Sequence, residues 1–157
     1  MRLYHTRSFD RGATWSAPVP IERSLRRHSH DGYQLVHPRT GRVYLFYGFN
    51  AGEDEAGAQG DALPRSDMQL QEGYYLRWSD DGTATWSEVR AVIPVRRTAI
   101  DRANPWGGAT MGMFLCDKPS IMGPAVMMAF QKTFEPPVPA IEGGGYDMGL
   151  ALLPLGP

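Results

Sequence analysis

The chain has 157 residues and balances 16 Lys or Arg against 17 Asp or Glu, a formal net charge of -1. That balance offers no global field for nucleic acid or an anionic membrane surface, so any anionic ligand must be met by a local cluster of cations. Hydrophobic residues make up 42%, enough for a packed core, while a lone cysteine, Cys116, excludes an internal disulfide and a cysteine metal site.

No apolar run reaches the length of a membrane-spanning helix. Residues 1–16 are polar and already patterned, so no signal peptide is expected, and the compartment stays open. There are 18 glycines and 13 prolines, placed between short apolar runs, and long helical periodicity is absent. This pattern predicts an all-β protein.

In chain order, residues 2–7 predict a strand, followed by Ser8-Phe9-Asp10-Arg11-Gly12-Ala13-Thr14-Trp15-Ser16 and a second strand over 18–22. A charged loop at 23–31 carries Arg26, Arg27, His28, His30 and Asp31. Strands are expected at 32–36 and 43–47, joined by the compact turn His37-Pro38-Arg39-Thr40-Gly41. Val43-Tyr44-Leu45-Phe46-Tyr47 is continuously apolar, as a strand covered on both faces should be. Residues 50–71 read as a long loop. A strand over 74–78 leads into Ser79-Asp80-Asp81-Gly82-Thr83-Ala84-Thr85-Trp86-Ser87, and 89–93 leads out of it. The connection 94–117 contains Arg96, Arg97, Asp101 and Arg102. Strands at 119–121, 125–131 and 146–153 close the chain, with a turn at 122–124 and a loop at 132–145 that holds Glu142.

The two segments 8–16 and 79–87 are repeats in register 71 positions apart. Their chemistry is that of a stapled turn. An Asp in a tight turn accepts backbone N–H groups, and Ser and Thr hydroxyls satisfy others. Gly supplies a positive φ where the chain reverses, and Trp folds back as an apolar plug. Burial of Trp15 and Trp86 is therefore expected. The second copy has its glycine one place early, at Gly82, with Thr83 where the first has Gly12, so a distortion of that turn is expected.

The repeat resembles the Asp-box, S-x-D-x-G-x-T-W, of the sialidase superfamily. Ser8, Asp10, Gly12, Thr14 and Trp15 match it fully, and Ser79, Asp81, Thr85 and Trp86 match in the second copy. Residues 35–48 and the pair Asn104-Pro105-Trp106-Gly107-Gly108 and Asp117-Lys118-Pro119 are also similar to sialidase-like stretches. The resemblance implies a fragment of a six-bladed β-propeller, about two to three four-stranded antiparallel blades. With the box between the third and fourth strands, the chain would supply two strands of one blade, all of the next and three of a third. Blade breaks then fall near 23–31 and 94–117, and further blades are needed for closure.

The same strand directions put both boxes and the turn at 37–41 at one end, with loops 23–31, 50–71, 94–117 and 132–145 at the other. Long charged loops gathered on a rigid scaffold are where binding usually sits. The boxes are thus structural. On the opposite face, Arg26, Arg27, Arg96, Arg97 and Arg102 are the candidates to hold a sugar carboxylate, because the guanidinium fork bonds both oxygens. Asp31, Asp101 and Glu142 are the candidate catalytic carboxylates. His28 and His30 lack supporting ligand spacing, so no metal site is expected, and no cofactor is implied.

The family's Arg-Ile-Pro motif does not occur in residues 1–157, and the resemblance transfers no catalytic role to any residue here. Its tyrosine nucleophile, an exception among glycosidases, belongs to a later blade. Three readings follow. The chain is a segment of a sialidase-like glycoside hydrolase acting on terminal sialic acid or a related acidic sugar, inactive alone. Alternatively it is a non-catalytic Asp-box propeller for glycan or protein binding, or a truncated product without function.

Overall fold

A computed structural model of the chain describes residues 3–22, 29–49, 70–71, 73–103, 111–115, 117–134 and 145–154. Its elements in chain order are β1 (Tyr4–His5), β2 (Val19–Pro20), β3 (Ser29–Val36), β4 (Val43–Phe49), β5 (Leu70–Gln71), β6 (Gly73–Ser79), β7 (Ala91–Ile93), α1 (Ala99–Ala103), β8 (Met111–Leu115), β9 (Ser120–Met122), β10 (Ala125–Phe134) and β11 (Gly145–Pro154). The fold is all-β and antiparallel, as expected. β1 and β2 form a hairpin, β3-β4-β6-β7 a four-stranded sheet, and β11-β10-β8-β5 a second sheet in which β9 also pairs with β10.

The alternation of side chains along β4 explains why the whole strand is buried. Tyr44 and Phe46 point into a core shared with Tyr74 and Ile93 of their own sheet and Leu115, Val126, Met128 and Phe130 of the second sheet. Leu45, Tyr47 and Phe49 point the other way, where Ile21, Leu3 and Trp86 cover them. The four-stranded sheet is thus packed on both faces, with the hairpin on one side and the second sheet on the other. Complete burial of each large side chain contributes about 1.5–3 kcal/mol.

The ends of this sheet are set by register. Ser29 pairs with Phe49, Phe49 with Gly73, and Tyr74 with Ile93, so β3 and β6 begin where β4 and β7 end. The turn at 37–41 and the repeat at 79–87 lie at the opposite end. At 37–41, the His37 Nδ1 accepts the N–H groups of Arg39 and Thr40 at 3.3 and 3.2 Å, and Gly41 takes φ 73°.

Three features depart from the predicted elements. The connection at 94–117 contains α1 and β8, and β8 and β9 share one edge of β10, opposite β11. Pro119, buried between them, has no N–H to donate, which fits the break in that edge. β10 also runs on to Phe134, because Lys132 continues the alternation of buried Val126, Met128 and Phe130. Finally, the end of the 50–71 segment forms β5, which pairs with β8 through Leu70↔Gly112 and Gln71↔Met111.

Candidate functional site

The two repeats fold into the same bonded turn, each between antiparallel strands. In the first, Ser8 Oγ accepts the Gly12 N–H at 2.6 Å, Asp10 accepts the Thr14 N–H at 2.8 Å, and the Thr14 hydroxyl donates to Asp10 at 2.6 Å. In the second, Thr83 N–H to Ser79 Oγ is 2.8 Å, Thr85 N–H to Asp81 is 2.9 Å, and the Thr85 hydroxyl to Asp81 is 2.6 Å. Donation from the threonine hydroxyl and N–H, with the serine hydroxyl, pushes the Asp10 carboxyl down to about 2 and lowers that of Asp81 as well. Both carboxylates are spent on their own turns.

The expected distortion of the second turn is absent. Arg11 and Gly12 take φ 60° and 91°, and Gly82 and Thr83 take 64° and 68°. The turn needs two successive left-handed residues, and glycine fills the second position in one copy and the first in the other. Burial of the tryptophans holds only in part. Trp86 is half-buried against the hairpin, whereas Trp15 is 63% exposed. Trp86 has a hairpin beside it to pack on. Among the described residues, Trp15 is met only locally, with its Nε1 donating to the Gly12 carbonyl at 3.1 Å.

At the other end of the four-stranded sheet, β3 opens with an irregular register between His30 and Tyr33. Within it, Asp31 adopts φ 52°, a left-handed conformation that Asp adopts more readily than most residues with a Cβ. The Tyr74 hydroxyl donates to Asp31 Oδ2 at 3.3 Å and accepts the Leu115 N–H at 2.8 Å. Tyr33 donates to the Leu115 carbonyl at 3.3 Å. Half-buried Asp31 is therefore fixed at the seam between the two sheets.

Residues 94–103 leave β7 at this same end. Asp101 is buried, and its Oδ2 accepts the Thr98 N–H at 2.7 Å and the Thr98 hydroxyl at 3.3 Å, an arrangement that caps α1. Buried Lys132 donates to the same carboxylate and to the Arg96 carbonyl. Arg96 and Arg102 are exposed and Arg97 is half-buried, with the Arg102 guanidinium 3.5 Å from the Arg97 carbonyl. Arg26, Arg27 and Glu142 lie outside the described residues, as do His28 and Cys116. Among the described residues, no group of three or more His, Cys, Asp or Glu could hold a metal ion.

A second polar cluster went unrecognised in the sequence. Tyr47, wholly buried, donates to Glu22 Oε1, and Arg77 bonds Tyr47 Oη at 3.2 Å and Glu22 Oε2 at 3.2 Å. Arg90 lies 3.7 Å from Glu22 and stacks over Phe49 at 4.3 Å. Burial, then the bond to Glu22, raises the Tyr47 phenol well above its ordinary range, so it stays protonated. This cluster joins the hairpin to the sheet. Tyr47 was hidden in an apolar run, and Glu22 and Arg77 gave no motif. The only usable signal was the odd-numbered face shared by Leu45, Tyr47 and Arg77.

No protein-family model matches the chain, and no curated protein matches it. Among solved structures, one described as "Hadza microbial sialidase Hz136" matches with a TM-score of 0.58 and 19% sequence identity, over 94% of this chain and 28% of that one. The chain thus spans little more than a quarter of the matched structure. No helix among the described residues is long and apolar enough to cross a membrane. Sheet topology and this likeness together establish a sialidase-like all-β fold.

Proposed function

We propose that the chain is a segment of a sialidase-like glycoside hydrolase and contributes one wall of a site for terminal sialic acid or a related acidic sugar. The observation that carries this reading is Asp31, a non-glycine residue held at φ 52° with its carboxylate on the Tyr74 hydroxyl. It lies at the end of the sheet from which the charged segment 94–103 leaves, and binding usually sits on loops at one end of a rigid scaffold. Asp31 would meet a sugar hydroxyl or exchange a proton, and Arg96, Arg97 and Arg102 would supply the cations for the sugar carboxylate. Arg26, Arg27 and Glu142 are proposed to belong to the same end. The repeats at 8–16 and 79–87 are read as structural Asp-boxes, on consecutive blades that break near 23–31 and 94–117.

A second reading, a non-catalytic propeller that binds glycans or proteins, is favoured by Asp101, a candidate catalytic carboxylate that is buried and bonded to Lys132 and Thr98. Ligand-detected NMR on the purified chain tests the first reading. N-acetylneuraminic acid should show saturation transfer that galactose does not, and Asp31→Asn should abolish it. Equal signals from both sugars would overturn the proposal.

A further inference from the structure

We propose that Lys132 is a positioning residue, which holds the arginine-bearing segment 96–102 in the geometry that receives an anionic ligand. The inference rests on the acidic-sugar reading above and names a residue that makes no contact with the sugar.

Lys132 occupies the position on β10 where a fourth apolar side chain would extend the row of Val126, Met128 and Phe130. It is 1% exposed. A lysine is almost never buried so completely without a partner. Its ammonium meets the Arg96 carbonyl and the Asp101 carboxylate. Asp101 is 2% exposed and also receives Thr98. One buried cation therefore fixes the backbone at Arg96 and, through Asp101, the start of α1. The three arginines at 96, 97 and 102 are borne on this stretch.

A buried ion pair is poor evidence of stabilisation, because an apolar pair of similar volume often serves as well or better. What an apolar pair cannot do is bond the Arg96 carbonyl and the Thr98 N–H together. Lys132 and Asp101 specify the path of the segment. A guanidinium fork recognises a carboxylate only in a narrow geometry, so the path of its backbone sets the affinity for the charged group.

The test is the double variant Lys132→Met/Asp101→Asn, whose partners are both neutral and near in volume, so that no buried charge is stranded. Far-UV circular dichroism should stay that of the wild type. Amides of residues 96–103 should exchange with deuterium at least about tenfold faster. The preference of the chain for N-acetylneuraminic acid over its methyl ester should fall about tenfold, while affinity for the ester holds. A merely structural lysine would weaken both ligands alike. If the double variant does not fold, Lys132→Gln/Asp101→Asn, which likewise strands no buried charge, should change both readouts in the same direction. Unchanged exchange, or an unchanged preference for the acid, overturns the proposal alone. A wild-type chain without that preference overturns the acidic-sugar reading and the proposal with it.

Discussion

Trp86 Nε1 donates to His5 Nδ1 across 3.3 Å, with the two rings edge to face at a centroid separation of 5.9 Å. This contact bonds the second turn to the hairpin that carries the first, and it requires His5 Nδ1 to be an unprotonated acceptor. Burial, followed by the nearby Arg7 charge, lowers the His5 pKa, opposed by a hydrogen bond to the Thr83 backbone. Because the folded-state value lies below the ordinary 6.5, the neutral ring's contribution is complete above that pH and is lost as pH falls below it. We expect Trp86 fluorescence and the thermal midpoint to fall together as pH drops below about 6.5. His5→Gln should remove that step, and a step that survives the substitution would assign it elsewhere.

The two tryptophans of the repeats should differ in worth. Trp86→Ala strips a half-buried ring from the hairpin contact and should cost about 2 kcal/mol, below the range for a fully buried Trp. Trp15→Ala removes a mostly exposed ring and should cost less than about 1 kcal/mol. Urea denaturation of both variants, compared at equal slope, checks the order. Equal losses would mean that exposed Trp15 has a partner in solution.

Thr83 sits at φ 68° where the first turn has Gly12. Thr83→Gly should therefore stabilise the chain by about 0.5–1 kcal/mol, the relief of left-handed strain less the entropy of a new glycine. Gly12→Ala should destabilise it, since φ is 91°, whereas the added Cβ would make only an ordinary contact with Trp15 at 3.7 Å. Denaturant midpoints of the two variants should move in opposite directions.

Glu22 is the anion that Tyr47, Arg77 and Arg90 share. Glu22→Ala takes the carboxylate from the half-buried Arg77, which keeps the Ser87 carbonyl, and should cost about 1.5–3 kcal/mol. Tyr47→Phe removes one neutral donor and keeps the ion pair, at about 1–2 kcal/mol. A double-mutant cycle on these positions should show coupling, because they share one network.

Strands and turns were legible because they follow from alternation and from local chemistry. The run 43–47 predicted a strand covered on both faces, and Ser8, Asp10 and Thr14 predicted the bonds they make. Features that depend on distant chain were not legible. Nothing near Trp15 or Trp86 in sequence tells which has a hairpin beside it. Asp101 reads as one more charge in a loop until β10 brings Lys132 under it. Asp31 reads as one loop charge in sequence, and its bond to the Tyr74 hydroxyl depends on a strand 43 positions away. The loop expected over 132–145 began too early, because a lysine at the end of an apolar strand looks like the start of solvent, whereas the strand runs on to Phe134.

The purified 157-residue chain should not hydrolyse sialosides. The sialidase reaction, as the resemblance implies it, needs an arginine clamp, an acid/base group and a tyrosine nucleophile in one constellation. Such groups act as a unit, and losing one forfeits most of the rate. The Arg-Ile-Pro motif that carries the first clamp arginine does not occur in residues 1–157. Asp101 is bound to Lys132 and Thr98, which leaves Asp31 as the described carboxylate at the loop end with a sugar-facing role in the proposed site. A fluorogenic sialoside incubated with the chain, beside a heat-inactivated control, should release fluorophore at the control rate. Turnover clearly above it and lost in Asp31→Asn would show that this chain assembles a working site, and the non-catalytic reading would then fall.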